Sequence, residues 1–114
     1  MPNYLVLIYE DEAARAAAEA SVIESVRQGH SDFFRENSDV LRGGARLDGG
    51  QTATSIRPRA DGELSVTDGT FAETKEVLAG YYMIETDDLD RALATAKQIP
   101  SPFGGVEVRP VIPT

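Results

Sequence analysis

The sequence predicts an α+β domain in which two β-α-β units flank a β-hairpin. Two short runs, Tyr4–Tyr9 and Ala79–Glu85, are rich in strand formers and apolar on both faces. Each is followed by apolar residues at helical spacing. Between the two units, Asp61-Gly62 separates the strand-like runs Thr52–Arg57 and Leu64–Thr67, a short-range hairpin signal read as a type I′ turn.

Tyr4–Tyr9 is too short for an ordinary helix and reads as a strand covered on both sides. From Asp11 to about Asn37 the pattern is helical: Ala13, Ala14, Ala17 and Ala18 lead into Val22, Ile23, Val26, His30, Phe33 and Phe34. Ser21 is placed to act as an internal cap and Gly29 weakens the helix by about 1 kcal/mol relative to alanine, so the stretch can form two helical pieces, which does not change the fold. Leu41–Leu47 resumes a strand, closed by the turn Asp48-Gly49-Gly50. The hairpin follows, then the strand Ala79–Glu85. Thr86-Asp87-Asp88-Leu89-Asp90 starts the last helix, its acidic residues favouring the helix dipole and Leu89, Ala92, Leu93 and Ala96 forming its buried stripe. Ile99-Pro100 ends it. The final strand, Val106–Val111, alternates, with Val106 and Val108 on one face and Glu107 and Arg109 on the other.

This order is the split βαβ, ferredoxin-like arrangement with an inserted β-hairpin. Helices in such a sheet cover one face, yet two strands are apolar on both. A second copy of the same sheet is the economical cover, so the sequence predicts a homodimer packed face to face.

At 114 residues, with 41% apolar and 26% charged residues, the chain fits one folded domain over 1–114. Nineteen acidic against 11 basic residues give a net charge of -8, which repels nucleic acid and anionic membranes in the absence of a concentrated basic patch. Arg57 and Arg59 are far short of one. The absence of cysteine removes thiolate catalysis, disulfides and thiolate metal sites, and suits a cytoplasmic location. No segment approaches the ~20 apolar residues needed to span a bilayer.

The run Thr67-Asp68-Gly69-Thr70-Phe71-Ala72-Glu73-Thr74-Lys75-Glu76 resembles the Asp-Gly-Pro-Phe-x-Glu-Thr-Lys-Glu signature of the DGPF proteins, a branch of the YCII-related group. The resemblance extends through Tyr4–Tyr9, His30 with Phe33, Gly43-Gly44, Gly80-Tyr81-Tyr82, Asp87-Asp88-Leu89-Asp90 and Val106-Glu107-Val108-Arg109-Pro110. Thr70 departs from the pattern where the family carries proline, which removes a fixed φ from the loop. The resemblance implies a dimeric α+β barrel. It also implies a suspected catalytic histidine in the first helix, paired with an aspartate.

His30, the only histidine, lies on the inward stripe of its helix and is either a core residue with one hydrogen bond or an acid-base group in a pocket. Alone and without cysteine, it does not make a tetrahedral zinc site. Asp68 serves its Asp-Gly turn or turns inward to orient His30. Phe71 is core or pocket wall. Glu73 and Lys75 are either solvated charges or, facing a cleft, a proton acceptor and an anion holder. Glu107 and Arg109 form a cross-strand pair at an edge or an anchor on the dimer face. Tyr81 and Tyr82 point to opposite faces, so only one lines a given cavity; Tyr81 is taken as the ligand-side residue. Asp87, Asp88 and Asp90 read as helix capping, not metal ligands.

Three functions fit. The first is a homodimeric domain holding a small organic molecule in a cleft near His30 and Asp68, with Phe71, Glu73, Lys75, Tyr81 and Arg109 around it. The second is a cofactor-free acid-base enzyme of isomerase or lyase type, in which His30 shuttles a proton, Asp68 orients it, and Arg109 or Lys75 stabilises developing negative charge. The third is a regulatory protein-interaction module. No phosphate-binding glycine loop, nucleophile elbow or cofactor motif is present in the sequence.

Overall fold

The computed structural model describes residues 1–71 and 75–114. The elements run β1 (Asn3–Asp11), α1 (Glu12–Ala17), α2 (Ala20–Glu36), β2 (Leu41–Arg46), a 3₁₀ turn (Gly50–Thr52), β3 (Thr54–Pro58), β4 (Leu64–Asp68), β5 (Glu76–Glu85), α3 (Leu89–Ala96) and β6 (Gly104–Pro110). The result is an α+β fold with antiparallel pairing throughout.

Four strands form one sheet in the order β2-β5-β1-β6, and β3 with β4 forms a separate two-stranded ribbon. Since β1 and β2 both run antiparallel to β5, they run parallel to each other on either side of it. The register places Tyr4, Val6 and Ile8 of β1 opposite Ile84, Tyr82 and Gly80 of β5, and Val6 and Ile8 opposite Val108 and Val106 of β6. These residues form the helix-covered face. Val6, Ile8 and Ile84 pack with Phe33 of α2, Ala96 of α3 and Ile99, and Val106 and Val108 close the cluster.

The first helical stretch is two pieces. The break falls at Ala18 and Glu19, whose ψ angles of 149° are extended. Ser21 therefore lies inside the first turn of α2 instead of capping it, and Gly29 sits within α2 without interrupting it. Asp11 caps α1 by accepting from the Ala13 and Ala14 amides. Asp88 caps α3 by accepting from the Arg91 amide at 2.9 Å, as the acidic helix start implies. Buried Asn37 ties the end of α2 to the segment after α3, donating to Phe33 O and to Gln98 Oε1.

The hairpin forms with a different turn from the expected one. Gly62 N donates to Arg59 O, Arg59 N donates to Glu63 O, and only Gly62 has positive φ, at 88°. A type I′ turn needs positive φ at both central residues, whereas a longer loop needs a single left-handed glycine. Asp61 instead accepts from the Glu63 amide.

The opposite face of the large sheet is open. Leu5, Leu7 and Tyr9 alternate with the buried residues of β1 and stand opposite Met83, Tyr81 and Leu78 of β5, with Arg109 and Glu107 of β6 alongside. The molecule is accordingly flat, 48 × 43 × 17 Å. Its radius of gyration is 16.2 Å, against roughly 13 Å for a compact chain of this length. Among the described residues no helix is long and apolar enough to cross a membrane.

Candidate functional site

The helix-covered face does not close completely. Between α2, β2 and β5 lies a cavity of about 270 Å³, lined by Ile8, Val26 and Phe34 as apolar walls and by Glu10, Arg15, Arg27, His30, Arg46 and Tyr82 as polar groups. Its centre is a side-chain pair. His30 Nδ1 lies 2.8 Å from the Tyr82 hydroxyl, with the two rings stacked at 6.0 Å. A backbone hydrogen bond to Pro100 favours the charged imidazole, and across the Tyr82 contact the donor is set by the ring tautomer.

Two glycines permit this arrangement. A Cβ on Gly29 would come within 2.9 Å of the Pro100 side chain, and one on Gly44 would come within 2.8 Å of the Tyr82 ring. Both close approaches require a residue without a side chain. Phe33 supports the pair from the core, its ring 4.9 Å from that of Tyr82 and tilted by 56°.

Burial penalises the imidazolium and is the main cause holding the His30 pKa below the ordinary histidine value. The Pro100 hydrogen bond and the Glu10 carboxylate oppose it, while Arg15 and Arg46 add to it. Burial likewise raises the Tyr82 hydroxyl above the usual tyrosine range. At neutral pH the pair is therefore an uncharged imidazole and an uncharged phenol.

A folded-state pKa below the unfolded one means that the unfolded chain binds the proton more readily. The His30 contribution to stability is then complete above about pH 6.5 and is lost as pH falls through that value towards the folded pKa. A His30→Gln variant is expected to flatten the stability profile in this window, measured by urea unfolding between neutral pH and about pH 5. A parallel profile would mean that His30 does not titrate differently in the two states.

Among the described residues lining the His30 cavity, the carboxylate is Glu10. It lies on the buried face of β1, in phase with Val6 and Ile8, and its Oε2 accepts from Arg15 Nη1 at 2.7 Å. Arg15 also lies 5.7 Å from the centre of the Phe103 ring.

The residues expected from the sequence divide sharply. His30 is in the cavity. Tyr81 lines part of it as a strand residue, but its place in the register is the open face opposite Leu7; Tyr82 is the tyrosine on the helix side that reaches His30. Asp68 ends β4 in the ribbon, exposed and paired in register with Thr54, and it is not among the residues lining the His30 cavity. Phe71 is exposed beside the ribbon with the Arg57 guanidinium 4.2 Å above its ring. Lys75 is exposed and 3.7 Å from Asp11. Arg109 faces the open side of the sheet opposite Leu5. Glu73 lies outside the described residues.

Glu10, Arg15 and Arg46 were not singled out by sequence reasoning. A signal existed for the first of them: Glu10 continues the i, i+2 series Tyr4, Val6, Ile8, and a carboxylate in that phase needs a cation nearby.

The profile of the YCII-related domain matches residues 3–114. An uncharacterised protein of Rhizobium meliloti (strain 1021) is 40% identical over 114 aligned positions, covering 95% of this chain and 90% of the relative. With both matches running nearly end to end, the chain belongs to the YCII-related domain family.

Proposed function

We propose that this protein is a homodimeric domain that binds a small organic molecule in the cavity beside His30. The observation that carries the proposal is the neutral His30–Tyr82 pair set in the wall of a largely apolar cavity of about 270 Å³. Few convergent polar groups on apolar walls are the usual make-up of a ligand site. Glu10, which lines the cavity and raises the His30 pKa, takes in this reading the part that the sequence assigned to Asp68. The test is a thermal-shift screen of small polar organics on wild type and His30→Gln. Stabilisation of wild type that is lost in the variant supports the site; hits that stabilise both equally bind elsewhere.

The same geometry favours one second reading, a cofactor-free acid-base catalyst of isomerase or lyase type. A neutral imidazole with a carboxylate nearby is equipped to take a proton, and the Tyr82 hydroxyl is placed to return one or to hydrogen-bond a developing oxyanion. In that case His30→Gln and Tyr82→Phe abolish turnover while ligand still binds.

The strand order β2-β5-β1-β6 supports the ferredoxin-like split βαβ reading, with β3–β4 as the inserted hairpin. The open apolar face of Leu5, Leu7, Tyr81 and Met83 supports pairing with a second copy as a dimeric α+β barrel. So does the ribbon, whose Ile56, Leu64 and Val66 share one face and are 55–63% exposed, because an isolated two-stranded ribbon is marginal in water. Light scattering at micromolar concentration is expected to give twice the 12.3 kDa chain mass. Leu7→Lys, which sets a charge in the middle of the open face, is expected to give the monomer mass. A wild-type monomer would exclude the barrel.

A further inference from the structure

The charges around the cavity are not balanced. Arg15 is engaged by Glu10 at 2.7 Å, and Arg27, Arg35, Arg42 and Arg91 are each within 4.0 Å of a carboxylate. Among the described residues Arg46 has no such partner, and it lines the His30 cavity. It ends β2 opposite Gly80 and borders both the His30 cavity and a neighbouring one of about 400 Å³. In a chain with 19 acidic and 11 basic residues, a cation without a carboxylate at the mouth of an apolar cleft is an unusual expenditure of positive charge.

We propose that Arg46 is the anchor for an anionic ligand group, and that the ligand of the His30 cavity is a small organic monocarboxylate. This rests on the cavity reading above and adds the chemical class. The guanidinium fork matches a carboxylate in bidentate fashion. The ligand's apolar body fits against Ile8, Val26 and Phe34, and a second polar group meets the His30–Tyr82 pair. A single free guanidinium suits a monoanion. A phosphate dianion would call for a further cation, and the other two guanidiniums lining this cavity are committed, Arg15 to Glu10 and Arg27 to Glu24.

The neighbouring cavity is the poorer place for the anion, since Glu12 and Asp48 line it. Their carboxylates are held by backbone amides, Glu12 by Gly50 N at 3.0 Å and Asp48 by Gly49 N at 2.7 Å, and both would repel an acid. The carboxylate is thus directed to the His30 side of Arg46.

The test uses charged and neutral partners of the same shape: benzoate against benzamide, and cyclohexanecarboxylate against its amide. Binding is followed through the His30 imidazole resonances, which are unique in the chain. In wild type at least one acid is expected to bind about tenfold or more tightly than its amide. Arg46→Gln should erase that preference, and Arg46→Lys should restore part of it, because an ammonium keeps the charge and loses the fork. If acid and amide perturb His30 equally and Arg46→Gln changes neither, the anchor is wrong while the cavity reading stands. If no probe perturbs His30 up to millimolar concentration, the cavity reading fails and the anchor falls with it.

Discussion

Replacing Phe33 with alanine is expected to cost about 3–5 kcal/mol of folding free energy, the usual range for removing a buried aromatic side chain. Phe33 is 2% exposed and sits at the junction of α2 with the sheet, among Val6, Ile8, Ile84, Ala96 and Ile99. A domain of this size holds some 5–15 kcal/mol in total, so the loss is at least about a fifth of its stability. Its neighbour supplies the control. Phe34 is 60% exposed and lines the cavity, so Phe34→Ala should leave the urea midpoint nearly unchanged while weakening any ligand that packs there. Both variants are compared at one protein concentration, because association would add to apparent stability. Equal losses would mean that α2 packs with a different face inward. Phe33→Ala should also move the His30 pKa back towards its ordinary value, because the Tyr82 ring loses its support and water reaches the pair.

The adjacency of Phe33 and Phe34 shows what the sequence does and does not disclose. Helical spacing put both on the inward stripe, yet the stripe is about one residue narrower than the apolar run, and only Phe33 reaches the core. Strand positions were readable because unbroken apolar runs such as Tyr4–Tyr9 have few other solutions in a small α+β domain. The break after Ala17 was not readable, since nothing in the run Ala16-Ala17-Ala18 distinguishes one alanine from the next.

The candidate site was half legible for a related reason. His30 announced itself as the single histidine on an apolar stripe. Its partners depend on register. Whether Tyr81 or Tyr82 faces the helices is fixed by the pairing of β5 with β1, where Val6 stands opposite Tyr82. Asp68 was attractive because it heads a distinctive loop, but that loop ends a ribbon in its own sheet. Glu10 was hidden by its surroundings: it opens the acidic run Glu10-Asp11-Glu12, and only the phase of β1 separates the buried carboxylate from the capping one beside it.

That buried carboxylate is the basis of the second large effect. Glu10 is 9% exposed and Arg15 is the cation that balances it. Glu10→Gln leaves the Arg15 charge without its partner in a partly enclosed place and is expected to cost on the order of 2–3 kcal/mol. Arg15→Met leaves the carboxylate in the same position and should cost about as much. The double variant removes both charges, and its stability is expected to return to within about 1 kcal/mol of wild type, because desolvation no longer has to be offset. His30 separates this pattern from a general loosening of the fold. Glu10 raises its pKa and Arg15 lowers it, so Glu10→Gln should depress the pKa further while Arg15→Met should raise it. The double variant should remain below the ordinary histidine value, because burial, the largest cause, is untouched. Opposite movements in two variants of similar instability cannot come from unfolding, which would drive both towards the unperturbed value. If the double variant instead loses the sum of the two single losses, Glu10 and Arg15 are not coupled. If Glu10→Gln leaves the His30 pKa unmoved, the acid-base reading loses the carboxylate that makes His30 a stronger base.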